Sequence, residues 1–387
     1  MSQTVEATAV LRKTALNAIH RQMGAKMVDF GGWEMPIEYP NSPLGPGGLM
    51  KEHIAVRTGV GIFDVSHMGD IRITGPQALA AVQYISMNDA SRLVIGQAHY
   101  SALLYPQGTF VDDVIVHRLG ESEYLLVINA GTREKDYNWV RDNVKQFNCK
   151  AEDIGDHYTQ IAIQGPKAIE LLRKLTHADL SSIKNYWFTH GTVCELKDTL
   201  IARTGYTGED GFEIYVPSDA KTSAEVWNKV LDAGKEFGVL PCGLGARNTL
   251  RLESKMALYG HEISDTITVL EAGLERYSKF EKNEFIGKAA LEKQKAEGVK
   301  RVLVGLESVE RGIPRDGYKV LDGSGTEIGY VTSGSYAPFL KKNIALAYVP
   351  PKFSEIGSTV YVDIRGQNVK CQVVPTPFYK KPKKQGL

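Results

Sequence analysis

IRITGPQALAAVQYI (residues 71–85) and IAIQGPKAIELLRKL (residues 161–175) share one order: a short apolar alternation, Gly-Pro, then a helical pattern. Period-two alternation puts successive side chains on opposite faces of a strand, whereas the apolar spacing after Gly-Pro is that of one helix face. Pro76 and Pro166 suit the first helical turn, where the missing N–H has no partner to lose and φ is already helical. The spacing recurs downstream. YLLVIN (124–129) leads into REKDYNWVRDNVKQF (133–147), and FEIYVP (212–217) leads into SAEVWNKVLDAGKEF (223–237). Two successive elements held at one offset of roughly 90 residues mean a duplication. Each copy runs strand, helix, two or three strands, helix, the order of an α+β unit with helices on a mainly antiparallel sheet.

Beyond about residue 295 the texture changes. RVLVGLES, EIGYVTSG, IALAYVP and TVYVDIR are short alternating runs between Gly, Pro and Asp turns, which predicts a separate small β-barrel or sandwich. The charged stretch LEKQKAEG just before them predicts a connecting helix, and the lysine-rich tail KKPKKQGL a frayed, solvated end. A chain of 387 residues exceeds one compact core, so two or three domains are expected.

Bulk composition excludes several function classes. Lys and Arg number 46 against 45 for Asp and Glu, a net charge of +1 that gives no overall electrostatic case for nucleic acid. No apolar run reaches the ~18 residues of a membrane span. Cys149, Cys194, Cys242 and Cys371 form no CxxC pair, which indicates neither zinc nor a disulfide framework and fits a reducing compartment. The start MSQTVEATAVLRK has no apolar signal core and no Arg-rich leader, so the expected location is the cytoplasm, or a mitochondrial matrix reached with a leader since removed.

Phosphate-loop, HExxH, GxSxG and post-strand GxGxxG motifs are all missing, and His67 and His261 read as structural hydrogen-bonders rather than metal ligands. Three polar segments stand out. In QGTFVDDVIV (107–116), Asp112 and Asp113 open an apolar strand and face opposite sides, and alternation alone does not say which one faces inward. In ARTGYTGEDGFEIYVP (202–217), a Gly-rich hairpin with Tyr206 precedes a strand that carries Glu213 between Phe212 and Ile214, so Glu213 is on a wet face or paired inside. A carboxylate there matches the adjacent N–H and amino group of a pterin-like heterocycle in a bidentate way. In PCGLGARNTLRLESKM (241–256), Arg247 and Arg251 lie four apart on one helical face with Glu253 nearby, which allows either internal ion pairing or a grip on an anionic or carbonyl-bearing ligand.

These segments resemble the T-protein, or aminomethyltransferase, family along nearly the whole chain. KTALNAIHRQMGAKMVDFGGWEMPIEY, EHIAVRTGVGIFDVSHMG, the VDD segment, VINAGTREKD, GYTGEDGFEIYVP, GLGARNTLRLE and TSGSYAPFLKKNIALAYV all occur in the family's order and spacing. The resemblance implies a three-domain α+β cloverleaf, with two related sheet/helix domains and a C-terminal β-barrel around a central folate channel. The implied domains are interleaved: 1–69 with 155–241, 70–154 with 242–292, and 293–387. The implied reaction moves the one-carbon unit of an S-aminomethyl-dihydrolipoyl group, carried on the lipoylated H-protein of the glycine cleavage system, to the co-substrate tetrahydrofolate. Methylenetetrahydrofolate, ammonia and dihydrolipoyl protein result.

Carried over motif by motif, the resemblance places the catalytic role on Asp113, near folate N10, and leaves Asp112 structural. It gives Glu213 the pterin amino edge, makes Arg247 and Asn129 further polar contacts and Tyr100, Tyr186 and Tyr206 aromatic walls, and lines the same cavity with Met68; no metal is implied. The chain departs from the pattern at EAGLERYSKF, where Arg276 and Tyr277 stand in a segment in which relatives often carry Trp, and at Thr109 and Ala15. Two alternatives share the fold. A non-enzymatic folate-binding relative linked to iron-sulfur assembly carries a Lys-Gly-Cys-Tyr-x-Gly-Gln-Glu signature, absent from FIGKAALEKQK here. An oxidative dimethylglycine or sarcosine demethylase needs an upstream flavin domain, which reduces that alternative to a folate-binding partner of a separate flavin subunit.

Overall fold

The computed structural model describes residues 10–382; the first nine residues of the N-terminal segment and residues 383–387 of the basic tail lie outside the described residues. Both copies of the repeat take the expected form. The first is the strand Gly69–Thr74 followed by the helix Ala78–Ile85, the second the strand Tyr158–Gln164 followed by the helix Ala168–Leu172. Pro76 and Pro166 sit just ahead of these helices rather than inside their first turns. Gly75 and Gly165 start the turns at φ +131° and +136°, and a Cβ on Gly165 would meet the Gly59 carbonyl at 2.4 Å, so only glycine fits.

Each repeat strand pairs antiparallel with its downstream partner: Ile71 faces Leu126 on Glu123–Ile128, and Ile161 faces Ile214 on Gly211–Pro217. One sheet then continues through Phe110–Gly120 to Gln97–Leu104, the other through Leu196–Ala202 to Phe188–Val193. The flanking strands are exchanged between the two. Gly61–Asp64, which precedes the first repeat in sequence, joins the second sheet, whereas Lys150–Asp153, which precedes the second repeat, joins the first. The free edges meet where Ala98 N–H donates to the Tyr186 carbonyl (2.7 Å) and Phe188 N–H to the Gly96 carbonyl (2.8 Å). These reciprocal bonds join repeat-equivalent positions, so a pseudo-two-fold axis passes between the sheets.

Helices pack on one face of each sheet, and the helix Ala220–Gly234 shows why. Asp219 caps it by accepting from Thr222 N–H (2.8 Å), and Ser223, Val226, Trp227, Val230, Leu231 and Gly234 form one buried stripe. Burying each large apolar side chain of that stripe contributes about 1.5–3 kcal/mol. A short 3₁₀ turn follows and ends at Gly238 in the left-handed region. The strands from Val302–Ser308 to Gln367–Val374 close a six-stranded barrel around Leu306, Val331, Ala345, Val360 and Cys371, and the charged helix Lys288–Glu297 precedes it. No helix among the described residues is long and apolar enough to cross a membrane.

Candidate active site

Asp112 and Asp113 stand on the strand Phe110–Gly120, and strand geometry sends them to opposite faces. Asp112 is fully buried. Its carboxylate accepts from Thr132 Oγ1 (2.7 Å), Asn129 Nδ2 (2.8 Å), Asn129 N–H (3.2 Å) and Asp113 N–H (2.9 Å), which uses up a carboxylate's ordinary acceptor capacity. A solvated strand-start pair is therefore not what the structure contains. Asp113 accepts from Tyr100 Oη (3.0 Å) and Asn129 Nδ2 (2.8 Å) and turns its remaining surface into a cavity. Burial, and then the neighbouring Asp112 charge, raise its pKa from 3.8 to about 7. Asn129 thus bridges a structural carboxylate and a cavity carboxylate with one amide.

Behind Asp112 lies a residue that the sequence reading missed. Asp136, on the helix Arg133–Val144, is wholly buried with Lys135 Nζ 3.0 Å away. Burial and the facing Asp112 raise its pKa. The signal was available in the sequence: Asp136, Val140 and Val144 recur every fourth residue, which puts an acid on the apolar stripe of an amphipathic helix.

The cavity, which is open to solvent, lies where the two sheets meet the segment 254–277. All eight residues singled out from the sequence line it: Met68, Tyr100, Asp113, Asn129, Tyr186, Tyr206, Glu213 and Arg247. Glu213 comes from the second sheet, and its carboxylate accepts from the Thr204 hydroxyl of the preceding hairpin. Burial raises its pKa. Arg247 lies with its guanidinium 4.4 Å from the Tyr206 ring centroid and donates to no side-chain or backbone acceptor among the described residues; burial lowers its pKa. Tyr206 Oη is anchored on the Ala257 carbonyl. Tyr186 holds φ +62° at the position whose repeat equivalent is Gly96 (φ +87°), so a bulky side chain takes a backbone shape that its twin leaves to glycine. Tyr277, which the sequence reading left unassigned, also lines the cavity and packs edge-on against Tyr100 with ring centroids 4.8 Å apart.

The two readings of the segment 241–256 divide between its arginines. Arg251 is internally paired: it meets Glu262 at 2.6 Å and Ser333 Oγ at 2.7 Å, and Glu262 also accepts from Thr332 Oγ1 (2.7 Å). The barrel thereby backs the segment that forms one wall of the cavity. Glu253 pairs with Arg57 (2.9 Å), with His53 Nε2 3.2 Å away, rather than with the arginines of its own helix. His261 behaves as expected, with Nδ1 at 3.1 Å from the Thr332 carbonyl. His67 does not. Its Nδ1 is buried without a hydrogen-bond partner, and the ring packs edge-on against Phe30 (5.5 Å) while burial and the charge of Arg247 lower its pKa to about 4. The four cysteines are free, and no group of three or more metal-ligating side chains occurs among the described residues.

Comparison with known proteins places this geometry. The GCVT N-terminal domain family matches residues 16–282, and the Glycine cleavage T-protein C-terminal barrel domain family matches residues 301–380. The chain is 68% identical over 384 residues to a protein of Koribacter versatilis named Aminomethyltransferase, covering 99% of this chain and 100% of that one. It is 65% identical over 383 residues to the Aminomethyltransferase of Acidobacterium capsulatum, with 99% and 100% covered. The crystal structure of glycine cleavage system aminomethyltransferase T from Bartonella henselae superposes with a TM-score of 0.88 at 33% identity, over 96% of this chain and 99% of that chain. With both parts of the chain matched and its relatives aligned end to end, the chain belongs to the glycine cleavage T-protein family of aminomethyltransferases.

Proposed function

We propose that the cavity binds tetrahydrofolate as co-substrate and that the chain transfers to it the one-carbon unit of an S-aminomethyl-dihydrolipoyl group on a lipoylated H-protein. The products are 5,10-methylenetetrahydrofolate, ammonia and dihydrolipoyl protein: the carrier sulfur and the departing nitrogen each take up one of the two hydrogens that the folate nitrogens lose. The observation that carries this reading is a set of unspent polar groups inside an aromatic cavity. Among the described residues, Glu213 accepts from no side chain but Thr204 and Arg247 donates to no acceptor beside Tyr206, which suits a flat heterocycle with donor and acceptor edges.

In this reading Glu213 takes the amino edge of the pterin in a bidentate contact, Arg247 and Asn129 meet its other polar atoms, and Tyr100, Tyr186, Tyr206 and Met68 enclose the ring. Asp113 is the catalytic residue. Poised at about 7, its carboxyl changes protonation state near neutral pH, so it can accept the proton that a folate nitrogen loses or stabilise positive charge developing there. Asp112, held by four donors, fixes Asn129 beside Asp113. We assign residues 1–69 with 155–241 and 70–154 with 242–292 to the two sheet-bearing domains and residues 293–387 to the barrel domain, and place the reaction in the cytoplasm.

The test is methylenetetrahydrofolate formation on adding tetrahydrofolate to aminomethylated lipoyl carrier, with and without this chain. Product at a catalytic rate only in its presence supports the reading. Equal rates in both arms overturn it.

A further inference from the structure

The helix Leu244–Glu253 ends in a Schellman turn: Met256 N–H donates to the Arg251 carbonyl (2.9 Å) and Lys255 N–H to the Leu252 carbonyl (3.0 Å). That turn places Lys255 at the position glycine ordinarily holds, with φ +54°. A long cationic side chain in the left-handed region is unfavourable in the backbone, and here it lines the cavity. Arg276 reaches the same cavity from the turn Glu275–Tyr277, with its guanidinium 4.5 Å from the Tyr277 ring centroid and Nη2 donating to Tyr277 Oη (2.5 Å).

Neither cation forms an ion pair with a carboxylate of the described residues, and Glu275 beside Arg276 is taken by Lys295 (2.5 Å). The two instead see each other, since burial and then the charge of Arg276 lower the pKa of Lys255. Two like charges thus face one cavity, one of them at a strained backbone position, an arrangement that favours an anion between them. Lys255 is half-buried and Arg276 exposed, and both line the cavity that the ring-binding residues line.

We propose that Lys255 and Arg276 form a subsite for the carboxylates of the ligand's glutamate tail, distinct from the groups that hold its ring. The inference rests on the folate reading of the cavity and deepens it: the ring contacts fix orientation, and this pair supplies charge-assisted recognition of the tail.

The test uses the full chain and three probes under anaerobic conditions: a tail-less tetrahydropterin, tetrahydrofolate with one glutamate, and the triglutamate form. Lys255→Gly restores the residue that the turn favours, so it does not threaten folding, and it is combined with Arg276→Gln. The double variant is expected to lose about tenfold or more in affinity for both tailed ligands while its affinity for the tail-less pterin stays within about twofold, and the salt dependence of tailed binding flattens. An equal loss for all three probes, or none for any, overturns the proposal. So does a rise in KM for the lipoyl carrier with folate affinity unchanged, which would assign the two cations to the carrier. Should the wild-type chain bind none of the three, the folate reading itself fails and the tail site falls with it, whereas binding that ignores the tail sinks the tail site alone.

Discussion

Replacing Asp113 with Asn separates the chemistry of this carboxyl from its place in the fold. The amide keeps the shape, and its oxygen can still accept from Asn129 while its NH2 donates to the Tyr100 hydroxyl oxygen, but it cannot ionise. The wild-type carboxyl has its pKa raised from 3.8 to about 7 in the folded chain, about three units, so its ionisation costs folding at most about 4 kcal/mol once both folded and unfolded forms are charged. The sign is that of a raised acid. Below 3.8 both forms are protonated and nothing is lost; as pH rises toward about 7 the unfolded chain gives up its proton first, and stability falls; above about 7 the full cost remains. Asp113→Asn is therefore expected to be more heat-stable than wild type at pH 8, with the gap closing toward pH 4, as read by thermal unfolding across that range. At the same time kcat is expected to fall by about 10²–10⁴-fold, with wild-type kcat/KM rising with pH through about 7 as the basic form appears. A variant whose kcat lies within about twofold of wild type, or a stability gap that ignores pH, refutes the reasoning.

Three further perturbations probe other parts of the account. Glu213→Gln keeps the fold but replaces one of the two acceptor oxygens, so tetrahydrofolate affinity is expected to drop by about 10–100-fold in an equilibrium titration, and an unchanged Kd would remove Glu213 from the ring contacts. Arg251→Met strands the buried Glu262 carboxylate and should destabilise the junction with the barrel by about 3–5 kcal/mol in denaturant unfolding, with a smaller effect counting against a load on that pair. Asp136→Asn removes the second carboxyl that faces Asp112 while keeping a polar group of the same shape and should keep most of the activity, whereas Asp136→Leu should lower both kcat and stability; equal losses in both variants would show that the polarity of the group behind Asp112 is irrelevant.

Much of the architecture was legible because its signals are local. Gly-Pro punctuation and the change from strand to helix period mark both repeats, and the barrel announces itself as alternating runs between turn residues. The exchange of Gly61–Asp64 and Lys150–Asp153 between sheets was not, since a four-residue strand carries no record of its partner. At the site, alternation showed that Asp112 and Asp113 part company, yet which of them meets the cavity depends on which face the Arg133–Val144 helix covers, a tertiary fact. Arg247 and Arg251 looked alike for the same reason: only the approach of Glu262 and Ser333 spends one and leaves the other. The left-handed backbone at Lys255 was hidden because nothing in its side chain advertises a position that ordinarily belongs to glycine.

The most direct measurement is a crystal structure of the chain soaked with tetrahydrofolate. The account predicts density for the pterin ring between Tyr206 and its aromatic neighbours, its amino edge within hydrogen-bond distance of Glu213 and N10 beside Asp113. A folate seated elsewhere, or a ring turned so that Asp113 and Glu213 both miss it, would contradict the assignment of this cavity.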